Sequence, residues 1–472
     1  MLDSELNSLS GIQVLDLLRA GSLGVEEYTD ALLRTLQTHE SLNAMTALNT
    51  LAMRATARMA DSTPQKDRGP LHGLPIVVKD NIDVVGFPCT AGSPALASHW
   101  PSRDADCVAA LKAAGALVLG KCNLHEFALG VTSRNATYGA VSNPYAPDRI
   151  AGGSSGGTAA AIAARIAPVG LGTDTGGSIR IPAALCSVVG YRPSTGRWPA
   201  RGVVPISVPT RDTAAPMARS VEDCALLDAV VCGDDPTLEL VAPHSLRLGL
   251  PAELWSHLHQ GMEQQLDCVL GNLARAGVTL VPLTLDVDLS TVGNVGLTIA
   301  MAENLPALRV YFAEHGLPFD PALLAAAIAS PDVRNVFNHL TSANAPDSAA
   351  YADALHTIRE RLQPAWSNAF AHHSIDALLM PTTPLPAARL GEDEYIHMEG
   401  RSWPTFDSYV RNCGPATLLG LPSVSLPAGF TDEQGSSLPI GLMLDGPRNT
   451  DRRLLAIAAA LMPLLPSTPK LP

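Results

Sequence analysis

Charged side chains are scarce in this chain: Asp, Glu, Lys and Arg make up only 16% of its 472 residues. Those present lean acidic, for a net charge of −13. A surface of that sign repels phosphate backbones and anionic lipid, so neither nucleic acid nor a membrane is expected as a partner. Aromatic residues are also few, at 4%. No run of 18 or more apolar residues occurs, so no spanning helix is expected. The opening residues Met1-Leu2-Asp3-Ser4-Glu5 lack the cationic and apolar regions of a secretory signal, which leads us to expect a cytoplasmic protein.

The chemistry of metals and thiols is thinly represented too. None of the eight cysteines forms a C-x-x-C pair, and Cys224 sits in the apolar stretch CALLDAVVC. Buried, reduced thiols are the expectation. His125-Glu126 begins an H-E-x-x-H pattern, but position 129 is leucine. His257 with His259, and the pair His372-His373, read as solvated helix residues. No metal and no cofactor is expected. The segment GALVLGKC at 115–122 nearly matches a phosphate-binding loop. It ends on Cys122 where that loop needs Ser or Thr, and its ALVL portion reads as a strand.

What is abundant is apolar: 46% hydrophobic residues, with 38 glycines and 38 prolines to turn the chain. This is a globular composition, long enough for a large core. Helical periodicity marks residues 11–19 and 25–37. Residues 61–70 are polar and turn-rich, as in a surface loop. Leu74-Pro75-Ile76-Val77-Val78 reads as a buried strand that delivers Lys79 at its end. A helix over 105–114 and a strand over 116–120 follow, then an alanine-rich helix over 158–166 and a strand over 169–172. This alternation points to an α/β core. From about 240 to 375 the texture becomes mostly amphipathic helix, with a strand-like VTLVPL at 278–283. Residues 377–381 and 423–427 again read as core strands.

Three segments carry possible chemistry. G-G-S-S-G-G at 152–157 is either a flexible linker or a place where backbone meets a ligand at a helix start. It also matches G-x-S-x-G, but the upstream NPYAPDR cannot form the strand that a nucleophile elbow requires. Gly172-Thr173-Asp174-Thr175-Gly176-Gly177-Ser178-Ile179-Arg180 is either an ordinary turn with Asp174 and Arg180 paired, or a row of backbone N–H groups facing an oxyanion. Lys79 is either a solvated lysine at a strand end or a buried one that gives up its proton easily.

The three occur together and in order, as GLPIVVKDNID at 73–83, AGGSSGGTAAAIAA at 151–164 and GLGTDTGGSIRIPAALCSVVGYRP at 170–193. The combination resembles the amidase signature family. MPTTPLP at 380–386 and LPIGLMLDGP at 438–447 extend the match to nearly the whole chain. The resemblance implies an α/β fold with a central mixed β-sheet covered by helices on both faces. It implies one domain: N-terminal helices over 5–60, a signature core over 70–235, a helical substrate-covering insertion over about 240–375, and a return to the core over 376–465. It also implies a Ser–Ser–Lys triad. Ser178 stands at the acylated nucleophile, Ser154 at a proton-relaying serine held by a cis peptide, and Lys79 at the base. The backbone N–H groups of Thr175, Gly176, Gly177 and Ser178 stand at the oxyanion hole. Ser155, Asp174 and Arg180 stand at loop-supporting positions.

VVPISVPTRDTAAPMARSVEDCALLDAVV at 203–231 and LMLDGPRNTDRRLLAI at 442–457 are most similar to the indoleacetamide and mandelamide hydrolase branch. The implied substrate is a small amide bearing an aryl group, cleaved to a carboxylic acid and ammonia. The uncharged stretch Leu323-Leu324-Ala325-Ala326-Ala327-Ile328 fits an apolar pocket for it. Anilides, esters and carbamates remain alternatives, because the acyl-transfer groups do not restrict the leaving group. A subunit of a transfer-RNA amidotransferase is a further alternative, disfavoured by Tyr409-Val410-Arg411-Asn412-Cys413 in the region where that subunit's pattern is expected. A homodimer is left open.

Overall fold

The segment Pro75–Lys79 is buried at every residue, which is what a strand with neighbours on both edges and layers on both faces requires. Its side chains alternate between the two faces. Ile76 and Val78 join one apolar cluster, with Val14, Leu15 and Tyr28 of the N-terminal helices. Val77 joins another, with Ala159, Ala160 and Ile162 of the alanine-rich helix. The structure, a computed structural model, describes residues 2–469 and 471.

Eleven strands form the central sheet. In chain order they are β1 (Met45–Leu48), β2 (Pro75–Lys79), β3 (Leu117–Cys122), β4 (Val169–Asp174), β5 (Val189–Arg192), β6 (Thr213–Ala218), β7 (Arg247–Pro251), β8 (Thr279–Leu283), β9 (Ala377–Pro381), β10 (Ser423–Glu433) and β11 (Ser436–Asp445). Their spatial order is β1-β3-β2-β4-β6-β5-β10-β11-β9-β7-β8. The sheet is mixed. β2 runs parallel to β3 and β4, and β7 parallel to β8 and β9. β4, β6, β5, β10, β11 and β9 join one another in antiparallel sequence. Helices cover both faces, so the expected fold is the observed one.

The stretch 240–375 is more than a cover. Its β7 and β8 extend the sheet at one edge, a contribution that β7, only five residues long, does not announce by periodicity. The remainder is helical, led by the 26-residue helix Leu289–Glu314. Residues 323–328 do not line a substrate pocket as expected. Leu324, Ala325 and Ile328 pack with Leu308, Phe312, Val333 and Phe337 in a cluster of their own. Of the cysteines, all are free and six are buried, whereas Cys232 is half-buried and Cys268 is exposed.

Candidate active site

Lys79 ends β2 and Thr173 lies near the end of its parallel neighbour β4, so the pairing brings their side chains together. Lys79 Nζ lies 2.7 Å from Thr173 Oγ1 and 2.7 Å from Ser154 Oγ. Asn81 Nδ2 donates to the same Thr173 hydroxyl at 3.2 Å. Lys79 and Ser154 are fully buried. Burial pulls the Lys79 pKa down to about 7, against the opposing pull of the Asp174 and Asp212 carboxylates. A substantial fraction of this lysine is therefore neutral near neutral pH.

The G-G-S-S-G-G segment is a turn into the helix Gly156–Ala163, not a linker. Its Gly153–Ser154 peptide is cis. Ser154 O accepts from His125 N at 3.2 Å and from Ser133 Oγ at 3.3 Å. The helix enters so close to the strand beside it that a Cβ on Gly157 would lie 2.3 Å from Asn123 O and 2.5 Å from Ala44 O. Ser155 N donates to Ser178 O at 3.1 Å, which ties this turn to the next.

That next turn is the loop after β4. Asp174 organises it: Oδ1 accepts Gly177 N at 2.9 Å and Oδ2 accepts Ile179 N at 3.2 Å. Arg180 caps the same carboxylate in a two-pronged contact, both at 3.0 Å. Arg192 adds a third cationic contact at 3.4 Å and also donates to Asp174 O at 2.7 Å. Burial alone would push the Asp174 carboxyl up, but the two guanidiniums overcome it and hold it well below the usual carboxylate range. The turn-with-ion-pair reading and the N–H-row reading of this segment are thus one arrangement. The pair shapes the row.

The row differs in one member from expectation. Gly177 N–H is already committed to Asp174, whereas those of Thr175, Gly176 and Ser178 meet no protein acceptor among the described residues. Gly177 itself has φ +119, and a Cβ there would lie 2.6 Å from Cys413 Cβ. Only glycine fits.

Ser178, Thr175 and Gly176 open onto a cavity of about 730 Å³. Its walls come from elements that the sequence did not mark as a site. One is the first half of the helix Leu289–Glu314, with Val292, Leu297 and Met301. Another is the 403–414 segment, with Trp403, Phe406 and Val410. His125, paired with Asp332 at 2.8 Å, lies in the wall. So do Arg211 and Arg411. Of the two nearby histidines read as solvated helix residues, His257 is exposed, at the cavity border and outside any helix, whereas His259 is buried, with Nε2 2.8 Å from Glu433 Oε2. The signal for the walls was three-dimensional: helices remote in sequence converge on one loop.

A buried lysine in contact with a serine, a row of free backbone donors and an adjoining cavity are the parts that hydrolytic acyl transfer calls for. The amidase family profile matches residues 27–455, and the chain belongs to the amidase signature family. It is an amidase, an enzyme that hydrolyses C–N bonds of amides. It is similar to the indoleacetamide hydrolase of Agrobacterium vitis, 38% identical over 450 residues, which span 95% of each chain. It is also similar to the mandelamide hydrolase of Pseudomonas putida, 37% identical over 460 residues, covering 94% of this chain and 88% of the other. In three dimensions it resembles the peptide amidase of Stenotrophomonas maltophilia, with a TM-score of 0.83, 30% identity and 98% of both chains covered.

Proposed function

We propose that this amidase cleaves a small aryl-bearing primary amide to a carboxylic acid and ammonia, through an acyl-enzyme on Ser178. The observation that carries the mechanism is the 2.7 Å contact of buried Lys79 with Ser154. A serine hydroxyl is a weak nucleophile until a neighbour removes its proton. Neutral Lys79 accepts the Ser154 proton while Ser154 takes that of Ser178. Ser178 Oγ attacks the amide carbon, and the carbonyl oxygen becomes an oxyanion. The free N–H groups of Thr175, Gly176 and Ser178 receive that oxygen. Gly177 serves as the turn that aims them, since its own N–H is held by Asp174. The relay then returns the proton to the departing nitrogen, the C–N bond breaks, and ammonia leaves. Water attacks the acyl-enzyme with the same relay as base, which releases the acid and regenerates Ser178.

Ser155, Asp174 and Arg180 are positioning residues in this scheme. The acyl group occupies the cavity, where Trp403, Phe406, Val292 and Leu297 offer apolar walls for a ring. The names of the relatives, indoleacetamide and mandelamide hydrolases, support an arylacetamide-like substrate. The test is ammonia release by the purified chain from indole-3-acetamide and 2-phenylacetamide, beside an anilide, an aryl carbamate and glutamine. Hydrolysis of the arylacetamides without any partner protein, abolished in Ser178→Ala, is expected. Activity on glutamine alone would overturn the substrate reading.

A further inference from the structure

One cation in the cavity wall has more hydrogen-bond donors than partners. Arg211 is buried, at 7% exposure, yet makes no ion pair within 4.0 Å among the described residues. One Nη1 hydrogen bond goes to Gly296 O of the helix Leu289–Glu314. Its buried Nε has no hydrogen-bond partner among the described residues, and Nη2 donates to none. An unpaired, sealed Nε also occurs in Arg149 and Arg192, but neither of those borders the cavity, whereas the fully paired Arg180 contacts Asp174, Ser423 and Thr417. The donor a ligand can reach is Nη2, which is not sealed off and faces no protein acceptor, so an acceptor brought by the ligand would complete it.

The position of Arg211 is fixed by its neighbours. Arg211 N donates to Ser207 O at 3.0 Å. Asp212, the next residue, accepts Ile206 N and Ser207 N at 2.8 Å each. Asp212 also accepts Thr175 Oγ1 at 2.6 Å, which fastens this loop to the oxyanion row. The guanidinium lies against two glycines at ordinary contact distance. A Cβ on Gly296 would lie 3.4 Å from Nη1, and one on Gly176 would have Nη2 as its nearest neighbour, at 3.9 Å. Nη2 thus stands beside the backbone of Gly176, one of the proposed receivers of the substrate carbonyl oxygen.

We propose that Arg211 forms a polar subsite that recognises a neutral oxygen, hydroxyl or keto, on the carbon next to the scissile carbonyl. The inference rests on the amide-hydrolase reading above and names the substrate class within it. A neutral acceptor fits the surroundings: Asp212 and Glu303 already act on Arg211 through space, though they do not outweigh the effect of its burial. A carboxylate there would meet those two and the Asp407 and Asp393 carboxylates that also border the cavity. What Arg211 lacks is a hydrogen-bond acceptor.

The experiment compares two amides of nearly equal size: 2-hydroxy-2-phenylacetamide and 2-phenylpropanamide, in which a methyl replaces the hydroxyl. The kcat/KM ratio of the first to the second is expected to be roughly 10 or more in the natural enzyme, as for a hydrogen bond to a charged group. In Arg211→Met the ratio is expected to fall to near one, with Arg211→Lys in between because it keeps the charge and loses the planar fork. A ratio near one in the natural enzyme, or one unchanged in both variants, would overturn the subsite. If neither amide turns over, the amide-substrate reading fails on its own account. The subsite is then judged by thermal stabilisation of Ser178→Ala and of Ser178→Ala/Arg211→Met by the same two amides. A preference for the hydroxyl compound that depends on Arg211 supports it, and equal stabilisation sinks it.

Discussion

Ser155 holds Thr173 by both of its backbone groups: Ser155 Oγ donates to Thr173 O at 3.2 Å and accepts Thr173 N–H at 3.3 Å. The side chain of that same threonine contacts Lys79 at 2.7 Å. One serine therefore fixes the end of β4 against the turn that bears Ser154, and so sets the distance at which Lys79 meets both. Replacing Ser155 with alanine leaves two buried backbone groups of Thr173 without their partner. A loss of about 1–3 kcal/mol of stability is expected, read by denaturant unfolding.

Ser154→Ala breaks the contact between Lys79 and the serine turn but leaves the bonds accepted by the Ser154 carbonyl intact. The variant is expected to fold with the parent's thermal midpoint within a few degrees. Its kcat should drop by about 10²–10⁴, the range for losing a positioned proton carrier, while KM changes little. Steady-state kinetics on an arylacetamide reads both.

Activity should depend on pH through Lys79. Its pKa is lowered to about 7 by burial, and the neutral amine is the working form in the proposed relay. The value of kcat/KM is then expected to rise about tenfold per pH unit below that point and to level off above it. A profile flat from pH 5 to 9 would exclude Lys79 as the titrating base.

The same burial makes Lys79 a burden on stability. Between about pH 7 and the ordinary lysine value of 10.5, the folded chain binds fewer protons than the unfolded one. Stability therefore rises with pH across that window, and the burden is greatest below pH 7. Lys79→Met is expected to be inactive yet to unfold at a higher temperature than the parent at pH 6, with the difference shrinking by pH 9. Calorimetry at the two pH values checks the sign.

Asp174→Asn should be among the most damaging single changes. Arg180 and Arg192 share that carboxylate, and all three are fully buried. Removing the anion leaves two buried cations short of charge, at a cost of about 3–5 kcal/mol. The loop bonds to Gly177 and Ile179 weaken with it. Little folded protein is expected at 37 °C, as judged by circular dichroism.

The strands that feed the site were legible because each is short, apolar and punctuated. The expected helices at 11–19 and 25–37 appear as Gly11–Arg19 and Val25–Thr38, and the strand before Lys79 as Pro75–Lys79. The candidate segments around Lys79, Ser154 and Ser178 stood out only in combination, through their resemblance to the amidase signature; taken singly, the Gly/Ser stretch at 152–157 read equally well as a linker. The cavity wall was not legible. Val292 and Trp403 lie more than a hundred residues apart and converge only through tertiary packing. The run 323–328 had the right composition for a pocket, yet its burial serves a helix–helix core. Composition reports that a residue is apolar, not what it faces. Arg211 lies within the stretch 203–231 that resembles the arylacetamide-type branch, but nothing in the sequence set it apart there. Its significance lies in unpaired donors, which appear only once its neighbours are placed.

The most direct measurement is covalent labelling of Ser178. The enzyme is treated with an aryl sulfonyl fluoride, and the adduct is located by peptide mass spectrometry. A single adduct on Ser178 is expected, forming in step with loss of activity, slower in Ser154→Ala and all but absent in Lys79→Met. Inactivation with the label on another residue, or labelling of Ser178 at an undiminished rate without Lys79, would contradict the proposed mechanism.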